Sequence, residues 1–323
     1  MRLPVSLALF LASAVLACAG ASAQSDWPQR PVRMLVGFGP GGGTDIVARI
    51  IAPALGEALG QAVVVENRPG AGGTVAAAQV AKAAPDGYTA FMLNNGFAVS
   101  AVMYRSLPYD PQADLQAVSM VATMPLVVLT GPKSGFADVK GMIDAAKASP
   151  GKLNFASVGI GSTQHFAGEL LFQIAGLNLL HVPYKGTPNA VAATQTNEAQ
   201  LLVEVAASVL GQVRGGALKA LAVTSATPFP GLPEVPTMRQ AGLAEYDVTT
   251  WYAMAFPAKT PATVVEKANR ALRTALARED IRKLLANAAF VPETSSPEAL
   301  QAHIKAEIAR WGTVREKSGI KSE

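Results

Sequence analysis

The run Gly39-Pro40-Gly41-Gly42-Gly43-Thr44-Asp45 constrains the fold most, because it can continue neither a strand nor a helix and must join one to the other. Glycine tolerates backbone conformations closed to other residues, and proline has no N–H to give to a ladder. Before this turn, Arg33 to Phe38 reads as a strand; after it, Ile46, Ile50, Ile51 and Leu55 recur at helical spacing. A turn of the same design returns at Gly159-Ile160-Gly161-Ser162-Thr163-Gln164-His165, between a strand at Leu153 to Ser157 and a helix at Thr163 to Ile174. A chain that twice joins strand to helix through such a turn belongs to the α/β class.

The intervening segments extend the pattern. Ala62 to Glu66 is a second strand, a helix from Thr74 to Ala83 stops at Pro85-Asp86-Gly87, and Tyr88 to Leu93 is a third strand. Together they predict a βαβαβ half-domain. The apolar segment Ala117 to Leu129 reads as a strand interrupted at Pro125, where the chain crosses between lobes. A second α/β set follows, with a helix at Val139 to Ala148 and strands at Leu179 to Pro183, Gln200 to Ala206 and Leu218 to Thr224. Pro228, Pro230, Pro233 and Pro236 mark an extended connector, after which the chain returns to the first lobe around Trp251 to Phe256. Thr260-Pro261 and Ser296-Pro297 each read as a helix cap followed by proline at the first helical position. Leu300, Ile304, Ile308 and Trp311 form one apolar stripe, expected to dock onto a lobe.

At the N-terminus, Arg2 precedes an apolar run from Leu3 to Ala19, and Ala21-Ser22-Ala23 fits an A-x-A cleavage site. This predicts a secretory signal peptide over residues 1–23 and export to the periplasm. The run is shorter than the ~20 residues a spanning helix needs. Val15-Leu16-Ala17-Cys18 supplies an alternative lipoprotein site that would leave Cys18 acylated. Cys18 is the only cysteine, so the mature domain has neither a disulfide nor a thiolate nucleophile. No later segment is a long apolar run, and the mature chain is expected to be soluble. A chain of 323 residues, half of them apolar, can bury a large core and is long enough for two domains. The 27 Lys and Arg, 26 without Arg2, face 23 Asp and Glu with no basic block. That balance argues against a nucleic-acid footprint and mildly favours acidic ligands.

The chemistry concentrates in the two turns. Glycines let a ligand approach the backbone, and the first amides of the following helix have no intrahelical acceptor, so each turn can receive an anionic oxygen. Two such turns facing one another would hold a carboxylate between lobes. Charge-assisted hydrogen bonds of about 1.5–3 kcal/mol each suffice for micromolar capture. This requires no metal or cofactor. A rival reading is a dinucleotide fingerprint, since Gly37, Gly39 and Gly42 satisfy G-x-G-x-x-G and Glu66 ends the next strand where a ribose-binding acid would sit. It predicts an NAD-dependent oxidoreductase, but Pro40 makes the turn atypical and the second turn is left without a purpose. A hydrolase would use Ser162 as nucleophile, His165 as base and Asp45 or Glu204 as acid, yet the G-x-S-x-G elbow is absent. His165 and Glu169 are four apart on a helix but lack a further metal ligand at motif spacing. His181 and His303 read as ordinary structural or surface histidines.

The chain resembles the tripartite tricarboxylate transporter receptors, or Bug receptors, over the whole mature length. The resemblance rests on Trp27-Pro28, on Phe38 with Pro40 to Asp45, on Glu66-Asn67-Arg68-Pro69-Gly70-Ala71-Gly72-Gly73 and on Pro85-Asp86-Gly87-Tyr88-Thr89. It continues through Leu107-Pro108-Tyr109-Asp110-Pro111, Pro150-Gly151-Lys152-Leu153, Gly159 to His165, His181-Val182-Pro183-Tyr184-Lys185-Gly186, Leu218 to Thr224 and Val235-Pro236-Thr237. It implies a two-lobed periplasmic-binding-protein fold of type II, with mostly parallel sheets, flanking helices and a hinged cleft that closes on an organic acid. Residues 24–124 and 251–323 would form one lobe and 125–250 the other, with Pro125 and Thr249 to Trp251 near the hinge. The implied site comprises Phe38, Pro40, Gly41, Gly42, Gly43, Thr44 and Asp45 from the first turn and Gly161, Ser162, Thr163 and His165 from the second. Asn94, Asn95, Tyr184, Lys185, Gly186 and Trp251 are the implied neighbours. From the residues alone, Asn94 and Asn95 serve equally well as turn residues, and Tyr184 as a half-buried aromatic at a strand end. The implied partners are a small organic acid and the membrane components of a tripartite transporter, the receptor itself being a monomer without catalytic activity. The chain departs from the family at Thr194 to Gln200, where relatives end a helix in Leu-Leu-Gly-Gly, and at Glu204, where they carry Asp. An ionised Glu204 in the cleft would disfavour a second carboxylate and favour a hydroxyl or ammonium group, unless it is solvated or paired with Lys185 or Arg214.

Overall fold

A computed structural model describes residues 27–322; the signal segment 1–23 and Cys18 lie outside the described residues. In chain order, β1 (Val32–Val36) leads through α1 (Gly43–Leu59) to β2 (Val63–Asn67). Next, α2 (Thr74–Ala81) leads to β3 (Thr89–Asn94), and α3 (Asn95–Met103) follows directly. The sixteen residues of β4 (Leu115–Thr130) run through the middle of the molecule. A second alternating set comprises α4 (Val139–Ala148), β5 (Asn154–Ser157), α5 (Thr163–Ala175), β6 (Leu180–Pro183), α6 (Thr187–Thr196), β7 (Leu201–Val205), α7 (Ala206–Arg214) and β8 (Lys219–Val223). The chain ends with β9 (Thr249–Pro257), α8 (Ala262–Ala277), α9 (Glu279–Asn287), the short β10 (Val291–Pro292) and α10 (Pro297–Ser318).

The sheet is mixed, in the order β2-β1-β3-β9-β4-β7-β5-β6. Its outer parts are parallel, as the alternating pattern predicts: β1 lies between β2 and β3, and β5 between β6 and β7. β1 and β5 are almost wholly buried, which is why they read as apolar runs rather than alternating ones. The centre departs from the parallel expectation. There β9 runs antiparallel to both β3 and β4, and β4 is antiparallel to β7 and β8. The long β4 and the returning β9 are not joined to their neighbours by short crossover helices, so the right-handed βαβ rule does not fix their direction.

Pro125 does not interrupt β4. The register with β9 ends at Pro125 opposite Thr249, and pairing with β7 begins at Leu126 opposite Val205. A residue without an N–H is tolerated where the strand exchanges one partner for another. Apolar side chains on the two faces form two cores, one around Met34, Ile51, Met254 and Leu272, the other around Leu35, Phe91, Phe155, Trp251 and Trp311. In the second core α10 buries Leu300, Ile304 and Trp311 against α3, β4 and α5, so its stripe docks as expected. Ser296 caps α10 by accepting from Ala299 N–H at 3.1 Å. Thr260 does not cap α8, which begins at Ala262; its hydroxyl turns back to the Pro257 carbonyl at 2.8 Å.

Candidate functional site

Where β3 ends, two adjacent asparagines reach in different directions. Asn94 caps α3 by accepting from Gly96 N–H at 3.0 Å, and its amide donates to Thr44 Oγ1 at 2.9 Å. Asn95 is fully buried; it donates to Thr163 Oγ1 at 3.2 Å and accepts from Trp311 Nε1 at 3.2 Å. One asparagine therefore contacts the first glycine turn and the other contacts the second. Each threonine oxygen accepts, so each hydroxyl proton remains available for an acceptor.

Beside them lies a cavity of about 430 Å³. Phe38, Gly72, Asn94 and Ser100 line it from one side, and Val158 to Gln164 from the other. Val205, Thr250 and Tyr252 come from the central strands, while Val99, Met103 and Tyr104 add an apolar flank. Among the described residues, no Asp, Glu, Lys, Arg or His lines this wall. A charge placed here is met by backbone and neutral dipoles alone.

The second turn supplies much of that backbone. Gly159 and Gly161 have φ of 139° and 74°, in the region that favours glycine. Ser162 caps α5: its oxygen accepts from His165 N–H at 3.1 Å and its proton goes to the Gly159 carbonyl at 2.8 Å. Thr163 and Gln164 follow, with amides that have no intrahelical acceptor. Behind the turn, Gly161 N–H donates to His165 Nδ1 at 3.2 Å. The His165 ring stacks on His181 at 3.8 Å between centroids, and His181 Nε2 lies 2.7 Å from Ser157 Oγ. Burial, with a smaller contribution from His181, pushes the His165 pKa down to about 3, and burial alone takes His181 to about 4. His165 is thus a neutral acceptor beneath the turn and does not line the cavity. Its Nε2 lies 3.7 Å from Glu169 Oε1.

In the first turn, Pro40, Gly41 and Gly42 are exposed and lie outside the cavity wall. Asp45 is buried, where it accepts from Gly41 N–H at 2.9 Å, from Asn67 Nδ2 at 2.8 Å and from Arg49 Nε at 2.9 Å. Although burial alone would raise it, these donors together hold the Asp45 carboxyl below its usual range. Its role is to brace the turn. Gly43 packs so close to Tyr252 that an added Cβ would lie 2.7 Å from the phenol oxygen, which joins the turn to the cavity through Tyr252.

Several expected neighbours lie elsewhere. Trp251 is buried under α10, its indole N–H donating to Glu307 Oε2 at 3.2 Å. Successive strand residues face opposite sides, so Thr250 and Tyr252 line the cavity and Trp251 does not. Tyr184 donates to Glu198 Oε1 at 3.0 Å, and Gly186 caps α6; neither these two nor Lys185 lines the cavity. Glu204 is fully buried and pairs with neither Lys185 nor Arg214. It accepts from Gln164 Nε2 at 2.8 Å, from Val205 N–H at 2.7 Å and from Thr187 Oγ1 at 2.9 Å. Burial pushes its pKa up while the three donors oppose the shift.

Gly72, Ser100, Gln164, Val205, Thr250 and Tyr252 are among the lining residues that the sequence did not single out as ligand neighbours. Gln164 stands inside the second motif and Gly72 inside the Glu66 to Gly73 motif, while Val205 adjoins Glu204 and Thr250 and Tyr252 flank Trp251; Ser100 lies on the helix after Asn95. The residues of the rival readings are otherwise engaged. Glu66 accepts from Arg33 Nε and Nη2 at 2.7 and 2.9 Å and from Arg68 Nη2 at 3.2 Å, and a Cβ on Gly37 would lie 2.7 Å from Gly73 Cα. The Ser162 hydroxyl bonds to backbone rather than to an imidazole.

The sequence profile of the tripartite tricarboxylate transporter family receptor matches residues 47–320. Protein BugT of Bordetella pertussis is 36% identical over 322 residues, which is 99% of this chain and 98% of BugT. Among solved structures, Rpa4515 of R. palustris with adipate is 32% identical, with a TM-score of 0.78 over 92% of this chain and all of that one. MatC of Rhodopseudomonas palustris with bound malate is 31% identical, with a TM-score of 0.74 over 89% of this chain and 99% of its own. The fold is the two-lobed α/β fold of these receptors, and the chain belongs to the tripartite tricarboxylate transporter receptor family.

Proposed function

We propose that this solute receptor works in the periplasm, captures a small organic carboxylate between its lobes and delivers it to the membrane components of a tripartite transporter. The observation that carries this reading is the cavity between the β3 end and the second turn, whose wall offers hydrogen-bond donors and no ionised side chain. A carboxylate would sit at the N-terminus of α5 on the amides of Thr163 and Gln164 and on the Thr163 hydroxyl, where the helix dipole favours an anion. The malate and adipate bound by similar receptors support an organic acid. Residues 24–124 with 251–323 form one lobe and 125–250 the other, and the partner exchange at Pro125 opposite Thr249 supports a hinge there. Closure would give the transporter a shape to read. Residues 1–23 serve as the export signal, and no helix among the described residues is long and apolar enough to cross a membrane. On this reading the receptor is not an enzyme: of the residues a hydrolase would use, Ser162 bonds to backbone, His165 lies beneath the turn and Glu204 is held by three donors.

The test is a thermal-shift panel of dicarboxylates, amino acids, aromatic acids and NAD, with calorimetry on each hit. A ligand at ~100 times its Kd adds about 2.7 kcal/mol to stability. Saturable binding by one class of acid, with NAD silent, is the expected result; a shift by NAD alone overturns the reading.

A further inference from the structure

We propose that Gln164, held in one orientation by Glu204, presents its carbonyl oxygen to the cleft and selects organic acids that carry a hydroxyl or ammonium group. This rests on the carboxylate reading above and deepens it. A primary amide is a donor at nitrogen and an acceptor at oxygen, and an ionised carboxylate is an acceptor only. Glu204 Oε1 receives Gln164 Nε2 at 2.8 Å, while Val205 N–H at 2.7 Å and Thr187 Oγ1 at 2.9 Å fix the carboxylate itself. All three contacts point donors at Glu204, which is fully buried and cannot turn away toward water. The NH2 end of Gln164 is thereby committed to the interior.

Gln164 also lines the cavity, so the end left to face a ligand is its acceptor. Glu204 Oε1, which the Val205 N–H also faces, is an acceptor and so takes the NH2 end of the amide, and no Lys or Arg lines the wall to offset the acceptor left toward the ligand. A ligand N–H or O–H is welcomed at this point and a second carboxylate is disfavoured. The buried Glu204 side chain therefore sets specificity from beneath the wall. It is a positioning residue acting through Gln164.

The experiment is calorimetry on wild type, Glu204→Gln and Gln164→Met with two matched series: succinate, malate and aspartate, and 3-phenylpropanoate, 3-phenyllactate and phenylalanine. In the series that binds, the hydroxy or amino acid should bind wild type at least tenfold tighter than the bare acid. Glu204→Gln keeps the shape but lets the Gln164 amide turn over, so that gap should narrow at least threefold while the bare acid binds no worse. Gln164→Met, which removes the amide from the wall and with it one of the three donors on Glu204, should bring the gap below threefold. The proposal is overturned if wild type does not discriminate, if both variants keep its selectivity, or if Glu204→Gln weakens every ligand equally. Silence of both series with wild type would instead refute the carboxylate reading on which it rests.

Discussion

Ser162→Ala separates a bracing serine from one that touches ligand or substrate. The hydroxyl has a single proton, already given to the Gly159 carbonyl at 2.8 Å, and its oxygen takes the His165 N–H at 3.1 Å. It therefore has nothing to donate to a carboxylate, and its removal acts through the start of α5. Loss of an N-cap costs about 1 kcal/mol, which in a chain of this size lowers Tm by roughly 2 °C. The Kd of a carboxylate that binds wild type should change by no more than about threefold. A hydroxyl donating directly to the anion would contribute about 1.5–3 kcal/mol, or roughly 10–150-fold in Kd. Urea unfolding and calorimetry on one preparation give both numbers. A tenfold loss of affinity with an unchanged unfolding midpoint would refute the assignment and place the serine on the ligand.

The neighbouring Thr163→Val should behave in the opposite sense, because Thr163 Oγ1 accepts from Asn95 and keeps its proton for the ligand. Calorimetry should show Kd rising about tenfold or more, and unfolding should show a loss of about 1–3 kcal/mol as the buried Asn95 amide loses its acceptor. The stacked histidines predict the pH response. Both fold with pKa values below 6.5, about 3 for His165 and about 4 for His181, so the unfolded chain binds protons that the folded chain refuses. Their contribution is fully present above pH 6.5 and is lost as pH falls toward those values, with a slope approaching ~1.4 kcal/mol per pH unit for each ring. Burial raises the Glu169 and Glu204 pKa values, and these groups oppose the histidines as pH falls, so the test is the difference between proteins: from pH 7 to 6 to 5 the urea midpoint of His181→Gln should rise relative to that of wild type, and a constant difference would contradict the burial of the His181 ring.

Both glycine turns, the strand before and the helix after each, and the Ser296 cap were legible because each depends on residues adjacent in sequence. Helix α3 was not, because Asn95–Met103 is buried around most of its circumference and carries no amphipathic period. The antiparallel centre was hidden as well, since strand runs state their own burial but not the direction of their neighbours.

The motif around Asp45 correctly marked a specialised turn but gave no sign that the carboxylate faces Arg49 and Asn67 rather than the cleft. Trp251 shows how small the missing information can be: a shift of one residue along β9 moves a side chain from core to cavity. By itself the sequence determined the family, the α/β class and the two glycine turns, because glycine, proline and capping residues act over a few bonds. Only the tertiary structure decided that Asn94 and Asn95 reach different turns, that Thr250 and Tyr252 line the cavity, and that Glu204 accepts from Gln164. Those relations join segments far apart in the chain, where strand register and burial, rather than local propensity, set which atoms meet.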